Sequence, residues 1–579
     1  MMKRILFTVS LLVLLCGCEG LLDCPPTASL DNKTLTTKDG VDYLCTAAYA
    51  GLRGPTGTYE DYCIPSTNWS FGDVRSEIAY KGGAGITDVI AIHYLEISDG
   101  IFTTEGIYDS KWYYTYCLIS RCDKAINALE ALDAKEYKLK DTRLAEMNTL
   151  RVYFYFDLLR LYNRIVYFPS ETETTQHKEL SNVTYTRDEL LGILISKLNT
   201  AIANLPAQQP EIGRINKLTA TALQAKLYLY KAYVQDPETN LLVSIDKNSL
   251  DKVIELTDTL IASNRFGLLD DFQQLDLIKY DNSKESVFEV QYSVNDETPN
   301  GNVNWSFILN VPCTDPYNGC GFFQPSQNLV NSYKTDANGL PLFDTYNDSN
   351  LLTVADGLAT NVDPRLDFVV GRPGIRWKTY TGSPYLETWA RELPTYGPYS
   401  CKRHLVSPES SDMITGYPRG LSALNWDIIR YADVLLWRAE ALIECDREDE
   451  AVEYINMIRN RAKNSAYVKS WDDPTVDAAK YVIDEYKPGV NCVWTKDYAR
   501  KALYFERKLE LAMEGERFFD LVRWGIAEHV LNDEFYPKEK LLHNYYESAH
   551  FDPSHDEYLP VPQNQIWAAA GKYHQNPGY

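Results

Sequence analysis

Apolar residues three and four positions apart form stripes along this chain, and the stripes come in consecutive pairs. That pattern restricts most of the sequence to helices that pack in hairpins. Helical spacing begins at about residue 109. Val152, Tyr155, Phe156 and Leu159 mark one stripe. Leu191, Leu194, Leu198, Ala201 and Leu205 mark the next, with Thr186 and Glu189 placed as a capping box and Pro206 ending the run. Leu218, Ala222, Ala225, Leu229 and Ala232 form a third. Leu250, Ile254, Thr257 and Ile261 form a fourth, expected to stop at Gly267.

Helical signal lapses between about 285 and 425 and returns at 428. Ala432, Leu435, Leu436, Ala439, Leu442 and Ile443 precede the turn Asp446-Arg447-Glu448, and Ala451, Ile455, Ile458 and Ala462 follow it. Two short helices with alanines where backbones approach resemble a tetratricopeptide (TPR) hairpin, although a strict 34-residue period is absent. The expected fold is therefore mainly α, a degenerate TPR-like scaffold interrupted by a long, loop-rich insertion. Within the insertion, Ser286-Val287-Phe288-Glu289-Val290-Gln291-Tyr292 alternates as a strand does. Irregular segments of this length in a compact protein usually carry function.

Lys3 and Arg4 precede an apolar run at 5–15, and Leu15-Cys16-Gly17-Cys18 follows. Eleven residues fall short of the about 20 needed to span a bilayer. A basic start, a short apolar core and small residues before a cysteine read as a lipoprotein signal at 1–17, with Cys18 taking the lipid. The lipid is then the expected membrane attachment. With 57 Lys and Arg against 80 Asp and Glu, the formal charge is −23. A field of that sign repels phosphate backbones, which excludes general nucleic-acid binding. No C-x-x-C pair occurs, so zinc ribbons and thioredoxin-like motifs are unsupported. Cys313 and Cys320 are seven apart in a loop, and the sequence leaves open whether they bridge.

Four segments together resemble the SusD/RagB family of outer-membrane nutrient-binding lipoproteins. They are Cys18-Glu19-Gly20-Leu21-Leu22-Asp23; Ile429-Arg430-Tyr431-Ala432-Asp433-Val434-Leu435-Leu436 with Arg438-Ala439-Glu440-Ala441; Glu506-Arg507-Lys508-Leu509-Glu510-Leu511 through Arg523-Trp524-Gly525; and the tail from Leu559-Pro560-Val561-Pro562-Gln563 to Gln575-Asn576-Pro577-Gly578-Tyr579. Asp73-Val74-Arg75-Ser76-Glu77 and Asp363-Pro364-Arg365-Leu366 also fit. The resemblance implies a surface-exposed outer-membrane lipoprotein of a Bacteroidetes-type cell, lidding a SusC-like TonB-dependent transporter. Its ligand would be an oligosaccharide or polysaccharide, or a peptide in the RagB branch. The expected organisation is a signal at 1–17, an N-terminal region of TPR-like hairpins at 18–284, a ligand-face insertion at 285–425 and a C-terminal region at 426–579.

Glu506, Glu510, Glu514, Glu516 and Asp520 sit at helical spacing. As a carboxylate pair they would suit glycoside hydrolysis; with 80 acidic residues in the chain, an ion network tying the last helical hairpin to the insertion is the stronger expectation. Glu516 interrupts an apolar stripe and so needs a cationic partner. His543, His550 and His555 match no zinc spacing, and neither metal nor cofactor is expected. The expected chemistry is binding without catalysis. Aromatic rings among Gly, Pro and Asn offer flat faces to pyranose C–H groups while nearby polar side chains bond the hydroxyls. Trp69, Asp73, Arg75, Trp305, Tyr317, Phe322 and Trp389 are the candidate ligand contacts. Trp69→Ala or Trp305→Ala is expected to weaken binding while leaving stability nearly unchanged. An aromatic-rich loop also needs rings for its own packing, and most of the loop aromatics are expected to serve that end.

Overall fold

The computed structural model describes residues 35–54, 62, 66–169, 177–298, 301–414, 416–417 and 419–579. The signal segment and Cys18 lie outside the described residues. The principal helices are α1 (Lys38–Ala50), α2 (Gly106–Ala131), α3 (Lys140–Tyr162), α4 (Arg187–Asn204), α5 (Lys217–Ala232), α6 (Lys247–Ala262), α7 (Tyr431–Glu444), α8 (Glu448–Asn464), α9 (Lys496–Glu510), α10 (Arg517–Trp524) and α11 (Gln563–Ala568). From α1 to α9 each helix packs on the next, the nearest-neighbour arrangement of a helical repeat array. The chain is thus mainly α and TPR-like, as the stripes require.

Local chemistry sets the helix ends. The Thr186 hydroxyl accepts the Glu189 N–H while the Glu189 carboxylate accepts the Thr186 N–H, closing the anticipated capping box at the start of α4. Helix α6 ends earlier than expected. Its cap is Ser263, and Asn264 takes the left-handed turn at φ 53° three residues before Gly267. Asparagine tolerates that conformation because its short amide satisfies local backbone groups.

The stack continues across the insertion, because α6 packs directly on α7. Strand β2 (Ser286–Val290), in the segment that alternation marks, pairs antiparallel with β4 (Trp426–Arg430), joining the insertion's two ends. A second pair, β1 (Ala79–Gly82) with β3 (Phe322–Pro325), holds the insertion to the N-terminal segment in the register Ala79↔Pro325, Tyr80↔Gln324 and Gly82↔Phe322.

The carboxylates after residue 505 form the expected ion network. Glu506 meets Arg365 at 2.7 Å and Arg459 at 3.0 Å; Glu510 meets Arg430 at 2.6 Å, Arg365 at 3.1 Å and Arg461; Glu514 meets Arg403 at 2.7 Å and Arg430 at 2.8 Å. Arg365 and Arg403 belong to the insertion, so the network ties it to the last hairpin. Glu516 finds its cations in Arg160 at 2.9 Å and Lys226 at 3.1 Å, and Asp520 pairs with Arg507 and Arg523, each at 2.7 Å. Burial opposes ionisation of Glu510, but the guanidiniums of Arg461, Arg430 and Arg365 hold it down at about 2.

Candidate functional site

Pairing of β1 with β3 brings two of the sequence-predicted segments together. The chain before β1 makes one wide helical turn, Trp69–Asp73. Trp69 is wholly enclosed there: its indole N–H donates to the carbonyls of Tyr62 and Ser306, both at 3.1 Å, and its ring lies 5.4 Å from Phe323 and 6.5 Å from Phe322. Asp73 accepts the backbone N–H of Gly515 at 2.7 Å and of Arg517 at 3.3 Å, and burial pushes its carboxyl up to about 8. Arg75 lies 4.0 Å from the Phe518 ring and donates to the Asp556 carbonyl at 2.6 Å.

The insertion supplies the other rings. The Tyr317 hydroxyl donates to the Val406 carbonyl at 2.5 Å and accepts the Trp377 indole N–H at 2.9 Å. Trp389 packs against Trp377 and Tyr385, each at 5.3 Å. Trp305 is the most accessible of the candidates at 9% exposure, with Tyr417, 70% exposed, 6.1 Å away. All seven candidate contacts are buried, and Trp69 presents no ring face to solvent. The expectation that Trp69→Ala leaves stability unchanged is corrected by this enclosure: removing the ring empties a packed site and withdraws the indole N–H from the Tyr62 and Ser306 carbonyls.

Above these rings three loops interlock. The Gly83 N–H donates to the Gly321 carbonyl at 2.9 Å, the Cys313 N–H to the Trp389 carbonyl at 2.8 Å, and the Thr314 hydroxyl to the Thr388 carbonyl at 3.1 Å. Lys81 fixes the first loop. Its buried amine donates to the carbonyls of Gly82 at 3.0 Å, Gly85 at 2.8 Å and Asp88 at 2.6 Å, and lies 5.1 Å from the Phe322 ring. Burial lowers that amine to about 8. The Asp88 carboxylate accepts the Ala84 N–H at 2.8 Å and stands 3.9 Å from the Arg391 guanidinium.

Asp315, Asn318 and Glu392 are exposed on these loops, and Asp88 and Arg391 are about one-third exposed. The rim therefore carries acceptors and donors next to a packed layer of aromatic rings, groups able to bond the hydroxyls of a ligand. Sequence reasoning missed Lys81, Asp88, Arg391 and Tyr417. The available signal was the lysine immediately before Gly82-Gly83-Ala84-Gly85, a flexible loop with a cation at its root. Cys313 and Cys320 are both free thiols on these loops. Among the described residues no group of three or more His, Cys, Asp and Glu side chains is placed to hold a metal ion.

A family model described as the SusD family matches residues 284–579, just over half of the sequence. The chain belongs to the SusD family. A SusD-like protein of Formosa agariphila is 24% identical over 561 residues, covering 91% of this chain and 93% of its own length. The crystal structure of a SusD superfamily protein from Bacteroides vulgatus superposes with a TM-score of 0.66 at 18% identity, covering 94% of this chain and 99% of that one. Surface glycan-binding protein A from Bacteroides thetaiotaomicron, solved in complex with laminarihexaose, superposes with a TM-score of 0.63 at 20% identity, covering 93% and 99%. At these identities the superpositions establish a shared fold. The β1–β3 and β2–β4 pairings thus belong to a SusD-family scaffold, and the interlocked loops lie within it.

Proposed function

We propose that this SusD-family chain is a cell-surface glycan-binding lipoprotein without catalytic activity. It is anchored in the outer membrane through Cys18, captures oligosaccharide, and passes it to a SusC-like TonB-dependent transporter. The observation that carries the reading is the loop cluster at 82–89, 312–321 and 386–392, where exposed polar side chains stand next to a packed layer of aromatic rings. A relative of the same fold is solved with laminarihexaose, and another is described as laminarin binding, which supports a glycan as the ligand class. The carboxylates that would serve a hydrolase are taken up by arginines and lysines, which supports binding over hydrolysis.

In this reading Asp88, Asn318, Arg391 and Tyr417 touch the sugar. Trp69, Asp73, Arg75, Trp305, Tyr317, Phe322 and Trp389 hold the rim in shape from beneath. Capture with later release needs only micromolar to millimolar affinity, about −8 to −4 kcal/mol. Losing one anchor of about 2 kcal/mol is then decisive.

Native affinity electrophoresis against a panel of polysaccharides tests the proposal, followed by calorimetry on the retarding glycan. Arg391→Ala, Asp88→Ala and Tyr417→Ala are expected to weaken binding at least tenfold with unchanged thermal unfolding. Parent-like binding by all three, or release of reducing sugar by the parent, overturns it. Co-purification of a TonB-dependent barrel from native membranes tests the transporter, and recovery of the chain alone counts against it.

A further inference from the structure

We propose a second carbohydrate-binding cleft, on the outer face of α2, that takes one or two units of a neutral sugar chain. It does not depend on the loop cluster described above. Tyr113, Tyr116, Ser120, Asp123 and Asn127 follow one another at three- and four-residue steps, so they share one face of α2. The opposite sides of that helix pack on α1 and α3. Along this face lies a cleft of about 450 Å³, within the roughly 300–1,000 Å³ usual for small-ligand sites. Its far side is formed by Phe168, by His177, and by Gln565 and Tyr573 of the C-terminal tail.

The walls are built rather than accidental. The Tyr116 hydroxyl donates to the Val166 carbonyl and accepts the Val166 N–H, both at 2.8 Å, and its ring meets Trp112 at 5.2 Å and Phe168 at 5.7 Å. Phe168 in turn lies 4.9 Å from the His177 ring. Gln565 is fixed through its side-chain amide to Asp109 at 2.7 Å. Tyr113 stays 55% exposed, a large ring held at the mouth.

Polar groups in the cleft have bonding capacity to spare. His177 Nε2 is shielded from solvent and has no hydrogen-bond partner. Asp123 receives Arg151 at 2.6 Å on one carboxylate oxygen only. The Ser120 and Asn127 side chains lie exposed beside them. A buried polar atom without a partner costs stability unless a ligand or water completes it.

This composition selects the ligand class. The charge of Asp123 is met by Arg151, and the lysine of the lining, Lys124, is exposed and solvated, a single donor that a hydroxyl can use as well as an anion can. A fatty chain would strand the polar atoms. A neutral pyranose answers both demands, with C–H faces for the rings of Tyr113, Tyr116 and Tyr573 and hydroxyls for His177, Asp123 and Asn127.

Hydroxyl-radical footprinting of the full chain tests this, with laminarihexaose, maltohexaose, xylohexaose and mannohexaose each at millimolar concentration. At least one is expected to protect Tyr113 threefold or more from oxidation. That protection should persist in Arg391→Ala and fall in Tyr573→Ala. By calorimetry Tyr113→Ala is expected to lower the affinity of this site at least tenfold, and Tyr113→Phe to retain it. Absence of Tyr113 protection by all four sugars overturns the proposal. So does protection that vanishes in Arg391→Ala, which would reduce it to an effect of the rim.

Discussion

The carboxylate of Asp73 accepts a hydrogen bond of 2.7 Å from the backbone N–H of Gly515, across 442 positions of sequence. The backbones beside this bond are in direct contact. A Cβ on Gly72 would fall 1.8 Å from the Gly515 carbonyl oxygen, and one on Gly515 would fall 2.0 Å from the Thr67 carbonyl oxygen. The turn that carries Trp69 is therefore seated on the start of α10, and the loop cluster inherits its position from that seat.

Gly72→Ala is expected to destabilise the fold by about 3 kcal/mol, the upper range for forcing atoms into a packed site. Its neighbour across the joint is backbone and has no rotamer with which to yield. Urea unfolding measures this; a midpoint within error of the parent contradicts the close approach.

Glu510→Gln removes a charge shared by three buried guanidiniums, those of Arg365, Arg430 and Arg461. The expected loss is about 3–5 kcal/mol, because the arginines stay buried and incompletely paired. Glu255→Gln breaks only the exposed pair with Lys252 and is expected to leave the unfolding midpoint within error of the parent. Equal effects of the two substitutions refute the distinction.

Glu539 contributes to the pH dependence of stability in the same direction as the other carboxyls that burial raises, Asp73, Asp281 and Glu557. Burial raises its carboxyl to about 8 from an ordinary 4.5, against the opposing hydrogen bond from the Tyr80 hydroxyl at 2.7 Å. Between those values the folded chain keeps a proton that the unfolded chain has released. Stability from this group is thus full below about 4.5 and declines as pH rises toward 8, by about 1.4 kcal/mol per pH unit. Glu539→Gln still accepts the Tyr80 hydroxyl and does not titrate, so its unfolding midpoint should fall less steeply over pH 5–8. Glu510 behaves oppositely: held at about 2, it contributes stability above its ordinary value that is lost as the solution is acidified. Parallel pH profiles for parent and Glu539→Gln would refute the assignment.

Lys81→Met keeps the stem of the side chain and removes the donor to three carbonyls. Amide hydrogen exchange at residues 82–88 should quicken while that of α7 and α8 is unchanged, and glycan affinity should drop at least tenfold. Trp69→Ala should instead lower global stability by about 3–5 kcal/mol. Unchanged exchange at 82–88 in Lys81→Met means the loop is held by something else.

Cys18→Ala is expected to abolish surface display and leave the protein soluble or uncleaved, since acyl chains are the proposed anchor. Mass spectrometry of the mature N-terminus decides: an unlipidated start beyond residue 18 refutes the lipoprotein reading.

Much of the scaffold was legible because its signals are local. Thr186 with Glu189, and Ala432 through Ala462, state helix starts and close helix contacts within a few residues. The stop of α6 was misplaced by looking for glycine where Asn264 turns the chain. Alternation marked β2, but nothing local marks its pairing with Trp426–Arg430, because that partner lies well over a hundred residues away. The site was half legible for a related reason. Trp69, Tyr317, Phe322 and Trp389 stood out as rings in loops, yet a ring that floors a loop and a ring that stacks on a ligand have the same sequence signature. Only tertiary enclosure separates them, and Asp88 and Arg391 gain meaning only once Gly83 and Gly321 meet.

The β2–β4 pairing makes the insertion enter and leave the scaffold at one place, while α6 and α7 close behind it. Exchanging such a segment between relatives as a cassette would still have to preserve its second seam, the register of β3 against Ala79–Gly82. The donor must bring equivalents of Arg365 and Arg403. A transplant lacking those guanidiniums would leave Glu506, Glu510 and Glu514 short of countercharge, and the chimera would fail in folding before its specificity was ever tested.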